Sequence, residues 1–291
     1  MLKCWSVLFL PAAVLTGCTP DPPAPDERPI EVMTFNILCS FCNAEGFDAW
    51  GGRMPQVDAA IDRGAADLVG LQEPFSGTEV DRFLSAHPGY DAFYYIDPGL
   101  TETPFPDYPD ATLLVRSDRF TVVDSGVFWL SSTPDEAWTF DFAAPQLWRV
   151  VAWAELEQVT DGRHLLFVTT HFDNNAPSQE LSAPLALERL LPMAETLPLI
   201  LTGDFNSTPS STAYQTLAAS LTDTYDIAAE RTFVTSEEPA PPWDPEQRID
   251  HIFLGGPNVM TADRYTVDLT RYGDPPRFPS DHWPVSATVR W

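Results

Sequence analysis

The spacing of apolar and polar residues between positions 30 and 291 predicts many short strands and only a few helices. Residues 285–291 alternate strictly between apolar and polar side chains, which is typical of a strand with one buried face. Residues 50–61 carry apolar side chains at every third or fourth position, which predicts one face of a helix. A second, leucine-rich helix is predicted around 184–197. This pattern predicts an α/β fold in which two stacked sheets are flanked by helices. The other predicted strands cover residues 31–37, 67–72, 111–115, 120–130, 150–157, 164–170, 199–202 and 249–254.

The amino-terminal segment differs from the rest of the chain. The apolar run at residues 5–15 is shorter than the roughly 20 residues that span a bilayer, but it suits the core of a signal peptide. It ends in Leu-Thr-Gly-Cys, which resembles the lipobox of bacterial lipoproteins and makes Cys18 the expected lipidation site. We predict a lipoprotein signal peptide (1–17), a proline-rich tether (18–29) and one folded domain (30–291), with the protein exported and lipid-anchored to the bacterial cell envelope, on its periplasmic or outer-membrane face. An ordinary secretory signal with an incidental cysteine is the alternative.

The chain is strongly acidic, with 42 Asp and Glu residues against 16 Lys and Arg residues and a net charge of −26. Removal of residues 1–17 would remove only Lys3 and give −26 − 1 = −27. Because an extended nucleic acid needs a basic surface, this composition disfavours such a partner. A pocket for a single phosphate group is still allowed, since one metal ion and one or two arginines would balance its charge.

The chain contains four cysteines, of which Cys4 lies in the predicted signal peptide and Cys18 is the predicted lipidation site. Cys39 and Cys42 form a C-x-x-C pair, a spacing found in redox centres and in half of a zinc site. No second C-x-x-C and no H-x-H follows, and an exported protein meets oxidising conditions. A small local disulfide is therefore the favoured interpretation.

Polar side chains stand at the ends of several predicted strands. Packed sheets bring such ends together, so oxygen atoms from distant positions are expected to meet in one cleft. Asn, Asp and Glu oxygens are the ligands that Mg²⁺ or Mn²⁺ prefers, whereas zinc prefers nitrogen and sulfur. Each segment alone is more often a turn or a strand terminus, so the prediction depends on the ordered set. The segments are Thr34-Phe35-Asn36, Leu71-Gln72-Glu73, Thr170-His171, Gly203-Asp204-Phe205-Asn206, Arg248-Ile249-Asp250 and Ser280-Asp281-His282.

This ordered set resembles the endonuclease/exonuclease/phosphatase superfamily of metal-dependent phosphoesterases, which includes deoxyribonucleases, abasic-site endonucleases, bacterial sphingomyelinases and inositol-phosphate phosphatases. The resemblance covers about residues 30–291. It implies a four-layer α/β/β/α sandwich of two mixed, mostly antiparallel sheets flanked by helices, with the site at one rim. It also implies Mg²⁺ or Mn²⁺ as the cofactor and a phosphoester as the substrate, and we expect the chain to act as a monomer.

The resemblance implies a separate role for each of the acidic and amide residues. Asn36 and Glu73 would hold the metal ion, with Asp281 near it or near a second ion. Asp204 and Asn206 would position the attacking water and the phosphate. These assignments follow from the motif positions in this sequence.

The resemblance also implies acid–base roles for two histidines. His282 would be the general base that activates water, and Asp250 would orient its imidazole ring. His171 would bind a phosphate oxygen or assist the leaving group. Asp97 is a candidate to orient His171, although a turn aspartate before Pro98 is the stronger interpretation.

Several further residues have no secure counterpart in the resemblance. Arg149 is a candidate cation facing the phosphate, with a surface arginine as an equal alternative. Asn175 is predicted to contact the substrate, and no role follows for His251, which stands where many relatives carry an aromatic residue. The proline-rich stretches 98–110 and 239–245 are expected either to wall the cleft or to be plain surface loops.

The predicted function is hydrolysis of a small or lipid-linked phosphoester by a phosphodiesterase or phosphatase, in which a histidine-activated water attacks metal-bound phosphate. An extracytoplasmic endonuclease or exonuclease is the alternative within the same catalytic class, and the negative charge weighs against it because it repels duplex phosphates over about 8–10 Å. A non-catalytic, lipid-anchored binding module on the same fold is the second alternative.

Overall fold

Two sheets pack face to face in the computed structural model, which describes residues 26–42, 44–97, 107–142, 147–236 and 241–291. The predicted signal peptide, the predicted lipidation site Cys18 and most of the predicted tether lie outside the described residues. Their assignments therefore stay predictions.

The larger sheet contains β1 (Ile30–Asn36), β2 (Leu68–Gln72), β3 (Tyr90–Ile96), β4 (Asp107–Arg116), β10 (Glu230–Val234), β12 (Thr261–Asp268) and β13 (Val285–Arg290). Its strand order is β10-β12-β13-β1-β2-β4-β3. The pairs β1–β2 and β10–β12 are parallel, and the other pairs are antiparallel.

The smaller sheet contains β5 (Phe120–Trp129), β6 (Val150–Gln158), β7 (His164–His171), β8 (Leu199–Asp204), β9 (Thr222–Asp223) and β11 (Asp250–Gly255). Its strand order is β5-β6-β7-β8-β11-β9. The pair β7–β8 is parallel, and the other pairs are antiparallel.

Helices cover the outer faces of the two sheets. The larger sheet carries α1 (Trp50–Gly64) and α2 (Gly77–Ala86), and the smaller sheet carries α3 (Ser178–Leu190) and α4 (Thr212–Ala218). The predicted four-layer α/β/β/α sandwich of mixed, mostly antiparallel sheets is confirmed. Within the described ranges, none of the helices has the length and apolar character that crossing a membrane requires. A short helix, α5 (Thr224–Ile227), and two 3₁₀ turns, Met193–Glu195 and Pro245–Gln247, complete the described elements.

The two-residue period of the strands separates three apolar clusters. In β1, Val32 belongs to the cluster between the sheets, whereas Met33 and Phe35 pack against α1 and α2. The same alternation points Thr34 and Asn36 into the space between the sheets. The inner face of β1 therefore changes from apolar to polar toward its end, and the other strands that end at this rim do the same.

The two sheets approach each other closely at Gly70. A Cβ atom at this position would lie 2.2 Å from Thr202 Oγ1 and 2.4 Å from Thr169 Oγ1, distances that no side chain can occupy. Glycine is therefore required in β2 for the approach of β7 and β8. This contact lies two residues before the end of β2, so it brings the ends of the strands from both sheets together.

One predicted helix has different limits in the structure. The leucine-rich pattern predicts a helix around 184–197, but α3 spans Ser178–Leu190, and residues 193–195 form a separate 3₁₀ turn. Pro184 has no N–H to donate to the Glu180 carbonyl, so this carbonyl has no partner within the helix. Both residues are exposed, and water can therefore satisfy the carbonyl. The helix ends near Pro192, because proline has no N–H to donate to the carbonyl of Glu188, four residues earlier.

Several elements were not predicted from the sequence. The shortest of them have two to five residues, and the longer ones leave many of their side chains exposed or half-buried. Tertiary packing rather than local pattern therefore decides their conformation. These elements are α2, α4, α5, β3, β9, β10 and β12.

A buried histidine joins α1 to the end of α2, and we expect it to make stability depend on pH. His87 is 6% exposed, and its two ring nitrogens lie 3.0 Å from Asp62 Oδ1 and 3.3 Å from Asp58 Oδ1. The hydrogen bond to Asp58 outweighs desolvation and raises the pKa of His87 above its usual value of 6.5. A raised pKa in the folded state stabilises the fold below pH 6.5, and this stabilisation is lost as pH rises through the folded-state pKa.

The substitution His87→Gln is therefore expected to lower the free energy of unfolding by about 1–3 kcal/mol near pH 5.5, and by less at pH 8.5. Urea unfolding of both proteins at several pH values measures this difference. A difference that stays constant or grows with pH would contradict the assignment.

Candidate active site

Three side chains meet where β1, β2 and β8 end. The side-chain amide of Asn36 donates to Glu73 Oε1 and to Asp204 Oδ2, both at 3.0 Å. The backbone N–H of Cys39 donates to the second Glu73 oxygen at 2.7 Å. Glu73 has a φ of 70°, a backbone conformation that is costly for a non-glycine residue and is typical of functional sites. The structure thus brings together the predicted metal-binding pair, Asn36 and Glu73.

A histidine–carboxylate pair lies on one side of this group. His282 Nδ1 lies 2.9 Å from Asp250 Oδ2, and its Nε2 lies 3.6 Å from Asp204 Oδ2. The loop before β13 is fixed by Ser280, whose hydroxyl donates to the Asn36 carbonyl at 2.7 Å and accepts from the His282 N–H at 3.2 Å. The imidazole is therefore held between two carboxylates from β8 and β11.

A second histidine–carboxylate pair lies on the opposite side. His171 Nδ1 lies 3.0 Å from Asp110 Oδ1, and its Nε2 lies 3.5 Å from Asp204 Oδ2. Arg149 donates to Asp110 Oδ2 at 2.9 Å and lies 2.8 Å from His171 Nδ1. Burial would raise the pKa of Asp110, but the charges of His171 and Arg149 outweigh it and lower the pKa to about 2. Asp110 is therefore ionised and fixes the ring of His171.

Asp204 is the shared partner of both pairs. Its carboxylate is 1% exposed, and its Oδ1 accepts the backbone N–H of Asn206 at 2.9 Å. Burial would raise the pKa of Asp204, but charge on His282 and His171 and the hydrogen bond from Asn36 hold it below its usual value. A buried, ionised carboxylate thus stands between two imidazoles.

The His282 pair is tuned by the same balance of burial and charge. Burial would lower the pKa of His282, but the Asp250 and Asp204 carboxylates raise it well above its usual value. Burial raises the pKa of Asp250 above its usual value, although His282 opposes the shift. Asp250 Oδ1 is buried and has no hydrogen-bond partner among the described residues. A perturbed acid–base pair in a cleft is typical of a catalytic site.

Arg53 holds the two loops of the site together, and the sequence pattern gave no sign of this role. The side chain lies in α1 and is fully buried. Its Nη1 donates to the carbonyls of Ile37 at 2.7 Å and Pro279 at 3.0 Å, and its Nη2 donates to those of Leu38 at 2.8 Å and Cys39 at 3.1 Å. The segment after β1 and the segment that leads to His282 therefore share one anchor.

The remaining predicted residues have different surroundings. Asn206 has a φ of 48°, and its side chain donates to the Phe172 carbonyl at 2.9 Å, which places it at the site beside Asp204. Asn175 is exposed on the loop after β7 and donates to Asp173 at 2.8 Å. Asp281 is exposed beside His282. The substrate role of Asn175 and the metal role of Asp281 stay predictions.

The structure gives His251 a clear environment. It lies on the outer face of β11 and is fully buried, with Nδ1 at 3.1 Å from Asp223 Oδ2 and Nε2 at 2.9 Å from the Ser207 carbonyl. Arg248 and Tyr214 also donate to Asp223, at 3.1 Å and 3.0 Å. This network supports the start of β11, where Asp250 lies, and it faces away from the cleft between the sheets.

The geometry decides between the alternatives for two residues. Asp97 accepts a hydrogen bond from Tyr95 at 3.1 Å and the carboxylate beside His171 is that of Asp110, so the weaker alternative, in which Asp97 orients His171, is wrong. Asp110 immediately precedes the predicted strand 111–115, which is a signal for this position, but it also ends the proline-rich stretch 98–110. The alternative of a surface arginine at position 149 is wrong, because Arg149 is 8% exposed and pairs with Asp110.

The cysteines Cys39 and Cys42 form a disulfide in the structure.

The donor set at the rim fits a hard divalent cation. Glu73 and Asp204 each direct a carboxylate oxygen at the same amide, that of Asn36. Ligand atoms of Asp204, Asp250 and His282 also lie within 4.8 Å of one another. Oxygen-rich sites of this kind suit Mg²⁺ or Mn²⁺. Asn36, Glu73 and Asp204 are the residues that would hold the ion.

The fold and the site together define an α/β/β/α sandwich with an acidic, two-histidine cleft at one rim. The chain belongs to the endonuclease/exonuclease/phosphatase family, because the model of that family matches residues 33–282. Members of this superfamily are phosphoester hydrolases. No curated protein sequence matches the chain.

Solved structures agree with this assignment. An endonuclease/exonuclease/phosphatase family protein from Bacteroides thetaiotaomicron is 28% identical with a TM-score of 0.77, over 91% of this chain and 98% of that chain. A mannosyl-6-phosphatase from the same organism is 28% identical with a TM-score of 0.76, over 90% of this chain and 100% of that chain. The human nocturnin catalytic domain, at 22% identity and a TM-score of 0.65 over 91% of this chain and 96% of that chain, shares the fold.

The site geometry predicts that Glu73 contributes to metal affinity. Glu73→Gln keeps the shape of the side chain and removes a negative charge, so affinity for Mn²⁺ is expected to fall by about tenfold or more. Isothermal titration calorimetry of both proteins measures this change. Glu157→Gln, an exposed change on β6, is the matched control and is expected to leave affinity unchanged. Equal affinity in all three proteins would remove Glu73 from the metal site.

Proposed function

We propose that the protein is a divalent-metal-dependent hydrolase of small phosphoesters, with phosphomonoesters as the favoured class. The observation that supports it most is the arrangement of two histidine–carboxylate pairs on either side of Asp204, next to Glu73 and Asn36. This arrangement provides a base on one side of a phosphoryl group and a second imidazole on the other. Phosphoryl transfer needs mainly such positioning and charge stabilisation.

The residues divide the reaction between them. His282 Nε2, in its neutral form, takes a proton from water, whose oxygen bonds to phosphorus, while Asp250 holds the ring through Nδ1. A cation on Asp204 would offset one of the two carboxylate charges that raise the pKa of His282, and would so favour this neutral form. The bond between phosphorus and the ester oxygen breaks on the opposite side, and that oxygen receives a proton from His171, whose ring Asp110 orients. The products are an alcohol and inorganic phosphate. A cation held by Asn36, Glu73 and Asp204 would neutralise charge that develops on the phosphoryl oxygens.

The relatives favour a monoester among the small phosphoesters. The chain is similar along nearly its full length to a mannosyl-6-phosphatase, which supports a sugar phosphate as a candidate substrate. An extended nucleic acid remains disfavoured, because a net charge of −26 repels its phosphates. A non-catalytic binding module is the weaker alternative, since His282 is paired with Asp250 and the Asn36 amide contacts both Glu73 and Asp204.

The proposal includes the cellular location. A signal peptide at residues 1–17 and a lipidated Cys18 would anchor the folded domain to the bacterial cell envelope through a tether of about 30 Å, at roughly 3.1 Å per residue. An exported position agrees with the Cys39–Cys42 disulfide, since such bonds persist in oxidising compartments.

Activity is tested by phosphate release with Mg²⁺ or Mn²⁺ from glycerol 3-phosphate, hexose 6-phosphates, bis-p-nitrophenyl phosphate and plasmid DNA. Asp250→Asn removes the carboxylate that orients His282, so kcat is expected to fall by about 10²–10⁴-fold with little change in KM. Asp91→Asn, an exposed change on β3, is the control. Full activity of Asp250→Asn would exclude the dyad, and turnover of plasmid alone would favour the nuclease.

Lipidation is tested with the variant Cys18→Ser in a bacterial host. The wild-type chain is expected in the membrane fraction, and the variant is expected to lose this association because it lacks the thiol that carries the lipid. Membrane and soluble fractions are compared by immunoblotting, with Cys4→Ser as the control. An unchanged membrane association of Cys18→Ser would indicate an ordinary signal or another form of attachment.

A further inference from the structure

An aromatic pocket opens beside the catalytic residues on the side of His171. We use the name aromatic pocket for the cavity of about 330 Å³ that is walled by Phe41, Phe75, Leu147 and Trp148. Glu73, Arg149 and His171 form its inner end. The cavity is therefore continuous with the catalytic site, and its volume lies at the small end of the range for ligand sites.

The position of the pocket identifies the part of the substrate that enters it. His282 and Asp250 line a separate cleft on the other side of Asp204, and the aromatic pocket contains neither of them. In phosphoryl transfer the attacking and leaving oxygens are roughly in line. Because water is activated on the side of His282, the leaving alcohol departs on the side of His171. That side opens into the aromatic pocket.

The walls of the pocket expose large apolar surfaces. Phe41 is 62% exposed and Phe75 is 46% exposed, and their ring centroids lie 4.6 Å apart in an edge-to-face arrangement. Phe41 lies between the two cysteines of the Cys39–Cys42 disulfide, which closes its loop. Two neighbouring exposed aromatic rings at the entrance of a catalytic cleft are typical of a ligand-binding surface.

The opposite wall is rigid. The Trp148 indole N–H donates to the Trp138 carbonyl at 2.9 Å, and the Trp148 carbonyl accepts from the Tyr108 hydroxyl. The rings of Trp148 and Trp138 pack edge to face at 5.3 Å, within a cluster that also includes Trp129 and Tyr95. Trp148 is therefore held in place before any ligand binds, which reduces the entropy lost on binding.

One carboxylate in the same pocket disfavours a purely apolar ligand. Asp107 lines the pocket, and its Oδ2 accepts the Gly77 N–H at 3.1 Å. Each oxygen of a carboxylate can accept more than one hydrogen bond, but none can donate. An alkyl chain in this pocket would desolvate Asp107 without a partner, which is unfavourable. A ring with an apolar face and hydroxyl donors at its edge would satisfy both the aromatic walls and the carboxylate.

From these contacts, and on the basis of the proposed function, we infer that the aromatic pocket binds the sugar of a hexose phosphate. The C–H face of the pyranose ring lies against Phe75 and Trp148, and its hydroxyl groups face Asp107. The pocket thus selects among phosphomonoesters by the shape of the alcohol, whereas the catalytic residues act on the phosphoryl group that all of them share.

The test compares kcat/KM of the full chain for glucose 6-phosphate and mannose 6-phosphate with that for glycerol 3-phosphate, which has no ring. Phe75→Ala is expected to lower the ratio of hexose to glycerol phosphate by about tenfold, the upper range of an aromatic contact. Phe75→Trp retains a ring and is expected to preserve the ratio. Val259→Ala, which shortens an exposed apolar side chain that lines neither of these clefts, is the control and leaves both rates unchanged.

Other results would overturn the inference. If Phe75→Ala lowers the rates for all substrates equally, or changes none, the pocket does not select the alcohol. If Phe75→Ala lowers turnover of AMP or p-nitrophenyl phosphate and spares the hexose phosphates, the pocket holds a planar ring instead of a sugar. If the wild-type chain hydrolyses none of the substrates, the proposed function fails. Calorimetric binding of mannose 6-phosphate by wild type and Phe75→Ala then tests the pocket alone, and equal affinity or no binding refutes it.

Discussion

The site depends on one buried carboxylate, that of Asp204. It is almost inaccessible to solvent, and its Oδ2 faces Asn36 Nδ2 at 3.0 Å, His171 Nε2 at 3.5 Å and His282 Nε2 at 3.6 Å. A buried charge is costly unless it is paired. The positions of the three groups around Asp204 are therefore as constrained as the position of its carboxylate. The same carboxylate thereby sets the distance between a base for water and an imidazole for the leaving group.

A hydrogen-bonded layer lies between the two sheets, on the side of the Asp204 carboxylate that faces the apolar core. Gln72 donates to Thr169 Oγ1 at 3.0 Å and accepts from Thr34 at 3.3 Å, and Thr202 donates to the Val168 carbonyl at 3.0 Å. These residues are all buried, and satisfied polar groups of this kind are rigid because each donor and acceptor has one arrangement. The layer separates the apolar core from the site, and it exists because β2 has no side chain at Gly70.

The sequence predicted those parts of the site that lie next to apolar strands. Asn36 and Asp204 end strands and His282 shortly precedes one, and the packing of two sheets brings such strand ends into one cleft. Asp110 obeys the same rule, but the proline-rich segment before it concealed the start of β4. Arg53 could not be predicted, because its role depends on four carbonyl groups that come together only after the segments near residues 38 and 279 have packed on α1.

The loop after β1 couples the metal-binding carboxylate to the wall of the aromatic pocket. The Cys39 N–H donates to Glu73 Oε2, and the disulfide from Cys39 closes the turn that carries Phe41. Arg53 binds the same loop, so its loss would disturb metal affinity and substrate binding together, and effects on residues with a shared partner do not add. Phe75 follows Glu73 by two residues, but its exposed ring takes no part in the hydrogen bonds that join Glu73, Cys39 and Arg53. A change at Phe75 can therefore alter the selection of the alcohol without altering the chemistry at phosphorus, whereas a change in the loop after β1 affects both.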